Sequence, residues 1–127
     1  MLLLRIPLEP VTKKNSQQII MAKGRPIIIP SKKFKQYEKE CGEYIPEELK
    51  IKIDYPVNVE CHFYMSTHRR VDITNLMQAI LDILCVYDVI DDDNRNIVYS
   101  VDGSRVFYDK DNPRTEIRIS RIEEMGE

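Results

Sequence analysis

The run VNVECHFYMSTHRRVDITNLMQAILDILCVYDVIDDD, residues 57 to 93, decides the fold, because one hydrophobic period changes into another within it. From Val57 to Met65 the residues alternate, with Val59, Cys61, Phe63 and Met65 on one side and Asn58, Glu60, His62 and Tyr64 on the other. That period of two predicts a strand. From Asp72 or Thr74, either of which can serve as N-cap, to about Tyr87 the apolar set is Ile73, Leu76, Met77, Ala79, Ile80, Leu81, Ile83, Leu84, Cys85 and Val86. Placed at 100° per residue these cover most of a helical wheel and leave one narrow polar stripe of Thr74 or Asn75, Gln78 and Asp82. Such a helix either runs through the middle of the domain or is half core and half subunit interface, its polar stripe opening into a site.

Working outward, Leu2 to Leu8 reads as a first strand closed by Pro7 and Pro10, and Pro26 to Pro30 as a short extended stretch, with a loop or hairpin between them. Ser31 is placed to cap a helix that carries Phe34, Tyr37, Glu38 and Cys41 and ends near Gly42, with a basic first turn that opposes the helix dipole. Val98 to Tyr108, broken by an Asp102-Gly103 turn, and Glu116 to Ile122 supply the last strands, with Ile117, Ile119 and Ile122 inward. The expectation is a single α+β domain over residues 1–127, a mostly antiparallel sheet with two main helices.

Composition agrees with that. The chain has 127 residues, 43% hydrophobic and 31% charged, with 4 Gly and 7 Pro. Disordered, collagen-like and disulfide-scaffold classes fit poorly. No run reaches a membrane span, and Met1 to Arg5 is too short for a secretory signal, so no membrane partner and a cytoplasmic address are expected. Cys41, Cys61 and Cys85 are odd in number and form no CxxC pair, which argues against disulfides and structural zinc. His62 and His68 lack companions for a zinc site, and His68 beside Arg69 should lie on the surface. Cys85 reads as a small core hydrophobe, and Phe34 and Tyr37 as core rather than base-stacking rings.

The net charge of −2 hides an asymmetry. Residues 1–70 carry 13 Lys and Arg against 8 Asp and Glu, whereas residues 71–127 carry 6 against 13. From Val11 to Lys35 there are seven cations, Lys13, Lys14, Lys23, Arg25, Lys32, Lys33 and Lys35, and no acid. A triple-aspartate run taken alone is a solvated turn, and Asp72 taken alone is a helix cap. Together with Arg69-Arg70 and the acid-free basic arm they acquire a different meaning. Phosphodiester hydrolysis needs cations to hold the backbone and carboxylates to hold a metal, and these residues supply both. Carboxylates assembled in a partly dry site favour a hard divalent cation, with Mg²⁺ the first expectation. The calcium-loop template fails, since Ile97 stands where it needs Gly and Gly103 where it needs Glu.

Arg69-Arg70-Val71-Asp72-Ile73-Thr74-Asn75-Leu76, then Ala79 to Leu84 with Asp82, then Val89-Ile90-Asp91-Asp92-Asp93, resembles the RusA-type Holliday junction resolvases. Pro10 to Ser16, Gly24-Arg25-Pro26 and Pro30 to Phe34 are similar to that family's opening. The resemblance implies a small homodimeric endonuclease of recombination and repair that binds four-way DNA junctions and cuts them symmetrically. It implies Mg²⁺, with Mn²⁺ as a substitute, and makes a prophage origin plausible. Carried across position by position, Asp72 is the first catalytic aspartate and Asp93 the later one, with Asp92 its neighbour. Thr74 stands where the family places a second aspartate and Gln78 where it places a catalytic lysine. Thr74 is then a weak metal ligand and Gln78 an orienting group without charge. Asp82, one turn beyond Gln78, and Asp92 are the candidates for the missing carboxylate. The alternative is a junction-binding protein that cuts weakly or not at all. Lys13, Lys14, Asn15, Lys32, Lys33, Lys35, Arg69 and Arg70 are the expected DNA contacts. A two-fold pair of subunits suits paired cuts on a near two-fold junction, with the apolar helix as the surface between them.

Overall fold

The structure is a computed structural model and describes residues 1–13, 17–30 and 32–125. Its order is β1 (Leu2–Ile6), β2 (Gln17–Ala22), β3 (Arg25–Pro30), α1 (Lys32–Gly42), a 3-10 turn (Glu47–Leu49), β4 (Val57–Met65), α2 (Ile73–Val86), β5 (Val98–Ser100), β6 (Arg105–Tyr108), β7 (Arg114–Arg121) and a closing 3-10 turn (Ile122–Met125). The predicted α+β class is what forms. Strands β1, β7 and β4 lie side by side, antiparallel, while β5 and β6 pair with the other side of β4. β2 and β3 form a separate antiparallel hairpin, in register from Gln17 opposite Pro30 to Ala22 opposite Arg25.

The first strand is shorter than its sequence suggests. It stops at Ile6 because Pro7 has no N–H to continue the ladder, and Leu8 N–H turns back to the Ile6 carbonyl at 2.9 Å. Val98 to Tyr108 is broken where expected, yet the Asp102-Gly103 turn does not reverse the chain. Both β5 and β6 run parallel to β4, so the turn is a kink in one edge segment. Asn58 fastens that kink: its side-chain oxygen accepts from Asp102 N–H at 2.7 Å and from the Ser100 hydroxyl, and its amide donates to the Asp102 carbonyl at 3.1 Å. This is why Asn58, on the face of β4 opposite Val59, Cys61 and Phe63, is buried.

Both helices pack on one face of the sheet. Phe34, Tyr37 and Cys41 of α1 and Leu76, Met77, Ala79, Ile80, Ile83 and Leu84 of α2 join Val57, Val59, Cys61, Phe63, Ile117 and Ile119 in one core. Each large apolar side chain buried there contributes about 1.5–3 kcal/mol. Ile122, expected inward at the end of the last strand, is half-buried in the closing 3-10 turn and is not part of that core. The proposed cap Ser31 lies outside the described residues.

The end of α2 controls where the chain goes next. Asp88 adopts φ 61°, Asp88 N–H reaches the Cys85 carbonyl at 3.1 Å, and Val89 N–H reaches the Leu84 carbonyl at 2.9 Å. This is a Schellman stop with aspartate in place of the usual glycine, and buried Val89 and Leu84 supply its apolar contact. The chain then bridges to Ile53 through Ile90, and Asp91 N–H bonds the Ile53 carbonyl at 2.9 Å. The acidic run is thereby returned toward the last turns of α2. No helix among the described residues is long and apolar enough to cross a membrane.

Candidate nucleic-acid interface and acidic group

The loop from Ser66 to Asp72 joins β4 to α2 and carries Arg69 and Arg70. Glu9 fixes its start: its carboxylate accepts from the Ser66 hydroxyl at 2.6 Å and from Ser66 N–H at 3.1 Å. Arg69 N–H donates to the Thr67 hydroxyl at 3.3 Å. Against the loop is a cleft of about 460 Å³ whose lining includes the cations Lys33, Arg69 and Arg70, the acid Glu9, and Pro10, Val11 and Thr12. A second cleft of about 350 Å³ shares Met65, Thr67, Arg69, Arg70 and Val71 with the first and adds His68, Val106, Phe107 and Tyr108. Lys33, from α1, and the arginine pair, 36 positions later, thus converge on one surface.

Around that surface Lys32 and Lys35 are exposed on α1, whose first turn contains no acid. Cations at a helix N-terminus oppose its dipole, an arrangement that an anion lying there would relieve. Lys13 is differently engaged. Its ammonium is 2.8 Å from Asp82 Oδ2 and lies over the Phe34 ring. Lys14 and Asn15 lie outside the described residues.

Asp72 occupies the N-cap position of α2, but its carboxylate makes no capping hydrogen bond. It is exposed and accepts from the Asn75 side chain at 3.3 Å. Burial of the apolar face therefore holds the helix, and the carboxylate stands open beside Arg70 and Val71 in the chain. Thr74 and Gln78 are exposed along the same helix. The open face continues through half-buried Leu81, Asp82 and Cys85 to exposed Val86.

At the far end of α2 lies an acidic group. Asp92 accepts from Asp93 N–H at 2.7 Å and from the Asn94 side chain at 3.2 Å. The Asp93 carboxyl is raised above the usual carboxylate range by partial burial, then by its hydrogen bond with Asp92 and the negative charges of Asp82 and Asp92. The same field reaches Cys85. Burial first, then Asp93, Asp92, Asp82 and Asp91, pushes its thiol up to about 11, so it is an inert, half-buried group at the edge of the core rather than inside it. Repelling carboxylates of this kind have the donor chemistry of a hard divalent cation. Within one protomer the convergence is incomplete: among the described residues no three His, Cys, Asp or Glu side chains come together closely enough to hold a metal ion. Asp72 precedes Asp82 by ten residues, about 15 Å along the helix axis.

Neither histidine joins a metal set. His62 Nε2 is 2.7 Å from Glu60 on the opposite face of the sheet, and His68 lies against Tyr108. Sequence reasoning missed Tyr108 and Glu9, whose roles come from tertiary contacts that no local motif records.

The α+β fold thus brings Lys33, Arg69 and Arg70 to one cleft, with Glu9 also in its lining, and leaves the Asp72 carboxylate exposed two positions after Arg70 in the chain. The family model for Endodeoxyribonuclease RusA matches residues 7–120, and the chain belongs to the RusA endodeoxyribonuclease family, a family of Holliday junction resolvase nucleases. A search of curated proteins finds no significant match.

Proposed function

We propose that the protein is a Mg²⁺-dependent endodeoxyribonuclease that binds four-way DNA junctions as a homodimer and resolves them by paired, symmetric cuts. The observation that carries this reading is the meeting of Lys33, Arg69 and Arg70 on one cleft, with Asp72 two positions after Arg70 in the chain, in a protein that matches a nuclease family over residues 7–120. Lys32, Lys33, Lys35, Arg69 and Arg70 grip phosphates without reading bases. Asp72 and Asp93, helped by Asp92, Asp82 and weakly Thr74, would hold the metal, while Gln78 orients water or phosphate between them. When bound, Mg²⁺, or Mn²⁺ in its place, supplies charge against the scissile phosphate and activates the attacking water.

The spacing along α2 gives the second subunit a chemical task. Two such helices meeting antiparallel across a two-fold axis would set the Asp72 end of one protomer beside the acidic group of the other. Leu81, Cys85 and Val86 offer the apolar part of that contact. Both sites would then be completed by dimerisation, and a monomer would not cut.

The test is to incubate the protein with a synthetic four-way junction, with and without Mg²⁺, and compare mobility shift with strand cleavage. A shift in both conditions and symmetric nicks only with Mg²⁺ support the reading. A shift without nicking under either Mg²⁺ or Mn²⁺ identifies a junction-binding protein, in which Thr74 and Gln78 have replaced groups the chemistry needs.

A further inference from the structure

At the Ser66–Asp72 loop the His68 ring lies flat on the Tyr108 ring, with centroids 3.8 Å apart and planes 19° from parallel. The two come from the loop and from the end of an edge strand, 40 positions apart, so tertiary structure makes the pair. His68 is exposed and Tyr108 is 47% exposed. The strand does not depend on the Tyr108 ring for its position. Asp109 N–H continues the ladder to the Met65 carbonyl at 2.8 Å, and the Asp109 carboxylate accepts from Arg114 at 2.8 Å and from Asn112 N–H at 3.1 Å. A firmly supported backbone thus presents a stacked aromatic pair to solvent.

The cleft of about 350 Å³ beside the pair is lined by His68, Tyr108, Arg69, Arg70 and Val106, among others, and by no acid. Aromatic faces with two guanidinium groups and no carboxylate match the chemistry of a nucleotide: a flat π-system to stack and a phosphate to neutralise. A phosphate alone would not use the rings, and an apolar peptide would not use the arginines. The cleft shares Arg69, Arg70 and Val71 with the cleft that holds Lys33, so a strand gripped there passes directly by this pair.

We infer that His68 and Tyr108 form a stacking platform for a nucleobase at the branch point of the DNA, positioning the strand that runs past Asp72. This rests on the junction-binding reading above. In a continuous duplex every base face is covered by its neighbours. At a four-way branch point the flanking bases can lose a stacking partner, so the platform discriminates branched from linear DNA. Both residues position the strand and take no part in the chemical step.

The experiment uses the full chain and an immobile four-way junction carrying 2-aminopurine next to the branch point, in Ca²⁺ without Mg²⁺. Aromatic stacking quenches this probe. The wild-type complex should fluoresce less than the Tyr108→Ala complex, with Tyr108→Phe like wild type. Tyr108→Ala should bind the junction roughly 5- to 100-fold more weakly, with linear duplex affinity changed less than twofold and an unaltered salt dependence, because no phosphate contact is lost. His68→Ala, on an exposed loop, should shift the signal in the same direction and serves as the reading if thermal melting shows that Tyr108→Ala does not fold. Equal fluorescence for wild type and both alanine variants on bound junction would overturn the inference and leave junction binding standing. So would an equal loss of affinity for junction and duplex. Wild type that shows no preference for the junction would overturn the functional reading itself.

Discussion

Replacing Lys33, Arg69 or Arg70 with alanine should flatten the salt dependence of junction binding, whereas replacing Lys13 should not. The first three line one cleft and are exposed to an incoming backbone. The Lys13 ammonium is instead 2.8 Å from the Asp82 carboxylate, so its charge is already compensated within the protein. Each phosphate contact adds roughly 0.9 to the slope of log affinity against log salt. Over a fourfold rise, from about 50 to about 200 mM, one lost contact makes binding about 3.5-fold less sensitive, and three lost contacts about 40-fold. Fluorescence anisotropy of a labelled four-way junction in Ca²⁺, at five or more salt concentrations, reads the slope directly. Single variants at Lys33, Arg69 and Arg70 should each lower it by about one unit, and Lys13→Ala by less than about 0.3. A Lys13→Ala slope that falls as far as that of Lys33→Ala, or a triple variant with the wild-type slope, would refute the assignment of the cleft.

The acidic group makes a pH prediction of definite sign. Because the folded-state Asp93 carboxyl is raised, the folded protein holds this proton more tightly than the unfolded chain does. That contribution is fully present below the ordinary carboxylate range near 3.9 and is lost as pH rises through the folded value. At neutral pH the ionised group opposes folding, and because Asp93 is exposed and screened by solvent Asp93→Asn should raise Tm only slightly, by about 1–2 °C at most and most clearly without divalent ions; a lowered Tm contradicts the crowding. Asp88→Gly relieves a left-handed residue at the end of α2 and should stabilise by roughly 0.5–1 kcal/mol in chemical denaturation, with a loss of stability arguing against the Schellman stop. Gly42→Ala places a Cβ 2.5 Å from the Tyr87 ring, whose hydroxyl donates to the Glu38 carbonyl at 2.8 Å. It should cost roughly 1–3 kcal/mol, and a neutral result would mean that the ring moves away freely.

The parts legible in the sequence are those where hydrophobic period and burial coincide. Strand β4 runs from Val57 to Met65 as its alternation indicates, and α2 runs from Ile73 to Val86 between the caps Asp72 and Tyr87, with Leu76, Met77, Ala79, Ile80, Ile83 and Leu84 buried in the core. The direction of the segment after Asp102 was not legible. Asp-Gly marks a turn, but whether the chain reverses depends on Asn58, more than 40 residues earlier, holding both sides of the kink against β4. At the candidate site, residue types were readable and pairings were not. Nothing local in the sequence commits Lys13 to Asp82, 69 positions away, or joins Lys33 to Arg69 and Arg70. Asp72 could be read as a cap or as a free carboxylate, and only the geometry, which withholds the capping hydrogen bond, separates the two.

The most direct trial of the proposed catalytic arrangement is a complementation assay on a four-way junction in Mg²⁺, using Asp72→Asn, Asp93→Asn and an equimolar mixture of the two allowed to exchange subunits. If each site draws Asp72 from one protomer and Asp93 from the other, both single variants bind without cutting. The mixed dimer then carries one site with neither change and regains single-strand nicking. Full cleavage by either variant alone would contradict the assignment of these aspartates, and a mixture as inactive as its components would contradict a site shared between subunits.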